Sequence, residues 1–183
     1  MNANDVQLLF VHLQTSLVAG SRTVSAEALV KAATALAEVG AVLGLPMTFA
    51  VVPGRGDLIP GLAAHATGAD TFPRHAASPF LDAATVAALG THGRRILVVA
   101  GFATEVAVLH TSLDGMAAGY AVQVPVDAVG GLSGRTEPAA LGQIERAGGV
   151  LTSVHGLASR LAPDFAAQPG ADVLAILQAL QPA

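Results

Sequence analysis

The segment Ile96–His110, ILVVAGFATEVAVLH, decides the fold. Its first five residues are an uninterrupted apolar run, too short for a helix and bounded by Gly101, as expected of a strand buried on both faces. Thr104–Ala118 then reads as a helix closed by Gly119. A glycine turn between a buried strand and a helix presents free backbone N–H groups and the positive end of a helix dipole to a ligand. This turn contains no Cys, Ser or Lys able to attack one, and an alanine, Ala107, lies at its centre.

The same alternation extends in both directions. Strands are expected at Val6–His12, Met47–Val52, Asp70–Arg74, Arg95–Ala100, Ala121–Val126 and Val150–Val154. Helices are expected from Ser25, as N-cap, to about Leu45 before Pro46, over Asp82–Leu89 closed by Gly90, over Arg135–Ala147, and over Asp172–Leu180. A short helical turn at Leu62–His65 breaks the Gly- and Pro-rich loop 53–68. Apolar strands alternating with helices predict a three-layer α/β/α domain, a doubly wound parallel sheet in one unit over residues 1–183.

Composition narrows the function. The 183 residues are 52% hydrophobic and 12% charged, with net charge −4 and no basic run, which argues against nucleic-acid binding. The absence of cysteine excludes disulfides, thiolate metal sites and thiol nucleophiles. No signal segment or membrane-length apolar run is present, so a cytoplasmic protein away from the membrane is expected. The high apolar content agrees with buried subunit surfaces and a homo-oligomer.

Ligands of open parallel sheets bind beyond the carboxyl ends of the strands. That rule selects His12 and Gln14 after strand one, Arg74 and His75 after strand three, and residues 102–107 after strand four.

The run GFATEVAVLHTSLDGMAAGYAVQVPVDA, from Gly101 to Ala128, resembles the core motif of the isochorismatase-like cysteine hydrolases, a family that includes nicotinamidases, N-carbamoylsarcosine amidohydrolases and isochorismatases. Gly101, Thr104, Val108, Gly119, Tyr120, Asp127 and Ala128 match that motif. LLFVHLQTSLV resembles the family's strand ending in Asp-x-Gln, and PRHAASPF resembles its Lys-x-x-x-Ser-x-Phe segment. The family catalyses with an Asp, a Lys and a Cys. The resemblance places His12 at the Asp, Arg74 at the Lys and Ala107 at the Cys, so all three positions are replaced. It also implies a cis peptide between Phe102 and Ala103, with the amides of Ala103 and Ala107 as an oxyanion hole.

These substitutions close the acyl-enzyme route, because Ala107 cannot attack. His12 is a candidate acid or base and Arg74 a candidate anion anchor, so the pocket is expected to favour an anionic small molecule unless Glu105 turns inward to offset it. The function expected is non-covalent acid–base chemistry: hydrolysis, elimination or isomerisation of a small anionic metabolite. The alternative is a pseudoenzyme, retained as a binding or scaffolding protein. A third reading, amidohydrolysis through Ser78 or Thr104, lacks an activating base in register.

Each residue also has a plain structural reading. His12 would be an inert strand-end histidine and Arg74 a solvated loop residue, with His75 its rival for the pocket. Gln14 would hold its loop, and Phe80 and Phe102 would be core or pocket wall. Thr104 would cap its helix, Glu105 would sit at a helix N-terminus, and His110 would be a buried structural histidine. No cofactor is expected. A metal is not expected either, since Asp57 and His65 lack the Asp-x-His spacing found in some nicotinamidases.

Overall fold

The computed structural model describes residues 1–180. The strands are β1 (Val6–Val11), β2 (Met47–Val51), β3 (Thr71–Pro73), β4 (Ile96–Phe102), β5 (Ala121–Pro125), β6 (Val129–Gly130) and β7 (Val150–Thr152). The helices are α1 (Thr15–Val18), α2 (Ala26–Val42), α3 (Pro60–Ala63), α4 (Ala83–Thr91), α5 (Leu109–Ala117), α6 (Glu137–Arg146), α7 (Val154–Leu161) and α8 (Gly170–Leu180).

The sheet runs β3-β2-β1-β4-β5-β7, with β6 extending from the end of β4. All of these pairs are parallel. This is the doubly wound α/β architecture that the alternating pattern predicts. The pleat sends alternate residues to opposite faces. Leu8, Phe10, Val98 and Ala100 pack with residues of α2, α7 and α8, and Phe10 stacks on Phe49 with ring centroids 5.4 Å apart. Leu9, Val11, Leu97 and Val99 pack with residues of α4, α5 and α6. Two apolar faces on each central strand explain why β1 and β4 read as continuous hydrophobic runs.

The chain order reverses at β1, which has β2 on one side and β4 on the other. The crevice at that switch point, past the carboxyl ends of β1 and β4, is where such folds bind ligands. Gly101 lets the two strands meet there. It pairs with Val11, and a Cβ at position 101 would overlap the Val11 carbonyl oxygen.

Several boundaries differ from the sequence expectation. The Ser25 side chain does cap α2, accepting from Ala28 N–H, but the helix stops at Val42 because Gly44 turns left-handed at φ 63°. Asp82 caps α4 through Thr85 N–H, and that helix runs through Gly90 to Thr91. The segment expected as one strand from Val150 to Val154 divides. Its last residue opens α7, capped by Ser153, which accepts from Gly156 N–H. The Asp127 carboxylate accepts from Val154 N–H, another free donor at that helix start. Residues 104–108 form a π-helical turn before α5 begins at Leu109. A π turn widens the backbone locally and is common at functional sites.

Candidate functional site

His12 follows the last residue of β1 and takes φ 58°, the only positive φ of a non-glycine residue among those described. His, like Asp, is among the few residue types enriched in this left-handed region. Exchanging one for the other therefore suits the backbone while changing the charge. The turn secures the main chain, since His12 N–H donates to the Ala50 carbonyl at 2.9 Å. The ring is half-buried, and its Nε2 is buried without a hydrogen-bond partner.

Arg74 lies one residue past β3, its N–H donating to Val51 O at 2.8 Å. It is 3% exposed, while the adjacent His75 is exposed, so the two rivals are separated by the direction in which the backbone leaves the strand. Its Nε and Nη1 are both buried without partners. Burial lowers the Arg74 pKa to about 10, which still leaves it charged near neutrality. Burial, and then the charge of Arg74, lower the His12 pKa to about 4, against the raising effect of a hydrogen bond with the Phe102 backbone. The imidazole is therefore neutral at pH 7, and the guanidinium is the cation of the pair.

The third wall is the turn after β4. The Phe102–Ala103 peptide is cis, as the resemblance implies. Ala107 is fully buried within the π turn. Phe102 is 7% exposed and lies against Gly20, in the core, while Phe80 is half-buried and packs on Tyr120 with centroids 6.0 Å apart.

Other residues fall elsewhere than expected. Thr104 does not cap its helix. Ala103 occupies the N-cap position, and Thr104 Oγ1 donates instead to Glu137 Oε1 at 2.8 Å, tying the turn to α6. Thr104 thus has a carboxylate acceptor that the sequence did not reveal, but the residue is wholly buried, closed to a substrate. Ser78, 2% exposed, accepts from Phe80 N–H and caps a short 3-10 turn. The Gln14 amide is committed to the loop. Its Nε2 donates to the carbonyls of Val52 and Gly56, and its Oε1 accepts from Val52 N–H. His110 is exposed rather than buried. Asp57 is exposed, and no group of three or more His, Cys, Asp or Glu side chains is placed to hold a metal among the described residues.

Glu105 turns away from the pocket. Its carboxylate accepts from Leu132 N–H, Ser133 N–H and Thr136 Oγ1. Burial raises its pKa, but the bonds from Thr136 and Leu132, with weaker ones, outweigh burial and hold it below the usual range. Glu105→Ala would leave three largely exposed donors to water and is expected to cost about 0.5–1.5 kcal/mol. A urea-denaturation midpoint unchanged from wild type, with unaltered amide exchange at Leu132 and Ser133, would show that the bonds carry no weight.

His12 makes stability depend on pH. The unfolded ring titrates near its ordinary value of 6.5 and the folded ring near 4, so between those values the unfolded chain binds more protons. Stability is whole above pH 6.5 and falls as pH drops towards 4, by up to about 3 kcal/mol from this group. His92 is also lowered, by burial and then Arg94, so the difference between wild type and His12→Gln isolates His12. Parallel stability–pH curves for the two proteins would refute the depression.

A buried cation and a neutral imidazole lie past the carboxyl ends of β3 and β1, with the strand-to-helix turn after β4 beside the imidazole. The chain belongs to the isochorismatase family, whose Isochorismatase domain matches residues 6–156. It is similar to the YcaC gene product of Escherichia coli, described as an octameric hydrolase of unknown specificity, with 26% identity and TM-score 0.88 over 98% of this chain and 88% of that one. YcaC from Pseudomonas aeruginosa, solved with hexane-2,5-diol and covalent acrylamide, is 25% identical with TM-score 0.90, over 98% of this chain and 93% of that one. A Caenorhabditis elegans protein described as MAR1 ribonuclease shares the fold at 22% identity and TM-score 0.89, over 100% of this chain and 94% of that one. A comparison with curated proteins finds no match.

Proposed function

We propose that this chain binds a small anionic metabolite between His12, Arg74 and the turn 102–107, and transforms it without a covalent intermediate through proton transfer at His12. One observation carries the reading: Arg74 is buried, with Nε and Nη1 unpaired, and no carboxylate is among the causes of its pKa shift. A buried charge of this kind is costly until an anion arrives.

The replacement of Asp by His fits the same chemistry. A histidine lowered to about 4 has the base strength of an ordinary carboxylate without its negative charge. The pocket therefore keeps a base while no longer repelling an anion. A bound anion would offset Arg74 and raise the His12 pKa towards neutrality, making the ring a better acid–base group in the complex than in the free protein. His12 would take a proton from the substrate or an attacking water and return it to the leaving group. The N–H groups of Ala103 and Ala107 would face the developing oxyanion. Ala107 restricts the reaction to hydrolysis, elimination or isomerisation without acylation.

The second reading is a binding protein without turnover. The low His12 pKa favours it, since a base of that strength is weak at pH 7. Incubating wild type and His12→Ala with a metabolite pool, read by untargeted mass spectrometry, separates the two. Consumption by wild type alone supports the enzyme. Consumption by both discards His12 as the acid–base group. Retention of an unchanged anionic metabolite, with no product, establishes the binding protein.

A homo-oligomer is part of the proposal. It rests on the octameric Escherichia coli relative and on the exposed side chains of Leu81, Leu132 and Val150. A monomer mass in light scattering would remove it.

A further inference from the structure

We infer that Glu137 is a positioning residue of this site: acting through Thr104, it holds the turn 103–107 so that the N–H groups of Ala103 and Ala107 stay available to a ligand. This rests on the anion-binding reading above and adds to it a group outside the pocket. Thr104 stands between those two alanines in sequence, wholly buried, and its Oγ1 donates to Glu137 Oε1 at 2.8 Å. A buried hydroxyl needs a partner. At the start of a helix its usual one is the turn itself, where a Thr oxygen accepts from the N–H two or three residues on. Those N–H groups would here belong to Val106 and Ala107. The turn instead closes on the Ala103 carbonyl, which accepts from Val106 N–H at 3.1 Å and from Val108 N–H at 3.3 Å. Glu137 draws the Thr104 hydroxyl towards α6 and away from the Ala107 N–H.

Glu137 is itself fixed from two sides. It opens α6, and its N–H donates to Ser133 O at 3.0 Å. Gly131 lies so close to its side chain that a Cβ at position 131 would fall 2.7 Å from Glu137 Cβ and 2.9 Å from Glu137 Oε1. Gly131 is held in place by its own main chain. Its N–H donates to Thr23 Oγ1 at 2.8 Å, and its carbonyl accepts from Arg22 N–H at 2.9 Å. The carboxylate is therefore aimed at Thr104 by backbone from two other parts of the chain. Glu105 makes a tie in the opposite direction, from the turn to Leu132, Ser133 and Thr136. The bonds to Leu132 and Thr136 are exposed, whereas Thr104 is out of water, where a hydrogen bond is electrostatically stronger.

The test compares wild type, Glu137→Gln, Glu137→Ala, Gly131→Ala and Thr104→Val as full chains, with two readouts. Hydrogen exchange by mass spectrometry follows the turn 102–109, with α2 as the gauge of global opening. Calorimetric titration with acetate, at constant ionic strength, follows anion binding. Charge and positioning predict opposite signs. Removing a carboxylate by itself strengthens acetate binding, in Gln and Ala alike. Removing the acceptor weakens it in Ala alone, because Gln keeps an oxygen for Thr104. Glu137→Gln is therefore expected to bind acetate at least as tightly as wild type and to keep its turn exchange. Glu137→Ala, Gly131→Ala and Thr104→Val should each bind roughly fivefold more weakly or worse. Their turns should exchange roughly tenfold faster while α2 is unchanged. Combining Thr104→Val with Glu137→Ala should weaken binding no further than either alone. Equal acetate affinity in Glu137→Ala and Glu137→Gln, or unchanged turn exchange in Glu137→Ala, would overturn the positioning role and spare the anion site. No acetate binding by wild type, with fast turn exchange in Glu137→Ala, would overturn the anion-binding reading and leave Glu137 a structural tie only.

Discussion

Arg74→Met is expected to abolish saturable anion binding and yet leave the free protein as stable as wild type, or about 1–2 kcal/mol more stable. The two effects share a cause. Arg74 is 3% exposed, its Nε and Nη1 have no partners, and burial is what lowers its pKa. An unpaired buried charge destabilises the fold, and methionine fills similar space without one. Losing a charge-assisted contact of this kind costs about 1.5–3 kcal/mol in binding, roughly ten- to more than a hundredfold in affinity. Removing the nearby charge should also raise the His12 pKa from about 4, although burial, the larger cause, keeps it below 6.5. Urea unfolding, anion titration and the imidazole NMR shift read the three effects separately. A variant that unfolds more than about 2 kcal/mol more easily would show that the guanidinium is a structural group, as surplus ion pairs are not.

Gly101→Ala should be the most damaging single methyl group in the site. β1 and β4 lie at the centre of the sheet and pair from Val6–Ile96 to Val11–Gly101. A Cβ at position 101 would meet the Val11 carbonyl oxygen and the Val11 side chain, and neither strand can withdraw without breaking the ladder on its other side. The expected loss is about 3–5 kcal/mol, the upper range for overpacking. Gly134→Ala, where a Cβ meets nothing within 4 Å, is the control and should change stability by less than about 0.5 kcal/mol. Since His12 follows Val11 directly, a Gly101→Ala protein that still folds should also show altered His12 titration. Equal urea midpoints for the two variants would remove the close approach from the account of this turn.

Much of this site was legible before any tertiary contact was known. The apolar runs at 6–11 and 96–100, the helix starts at Ser25 and Asp82, and the motif from Gly101 to Ala128 are local patterns. Local hydrophobic periodicity and capping chemistry are the strongest signals a chain carries about its own elements. Those signals sufficed for the parallel sheet, for His12 and Arg74 just past β1 and β3, and for Ala107 in the turn after β4. They failed where one residue had to serve two elements. Val154 reads as the end of a strand, and only the Ser153 cap and the Asp127 carboxylate, 27 residues away, make it the start of α7.

The amino-acid sequence by itself determined the fold, the absence of a thiol and the presence of His12, Arg74 and Ala107 where the resemblance puts the family's three positions, because each depends on residue identity and short-range pattern. The tertiary structure decided what those replacements became. Arg74 and not His75 is buried, because β3 ends in a register set by β2. Glu105 faces the loop at Leu132 and Ser133, and Thr104 is spent on Glu137, because α6 and the loop before it pack against the turn. His12 is neutral because burial and then the charge of Arg74 lower its pKa, whereas Arg74, lowered to about 10 by burial, stays charged. Burial, partner and local charge come from chain segments tens of residues apart, and no window of sequence contains them.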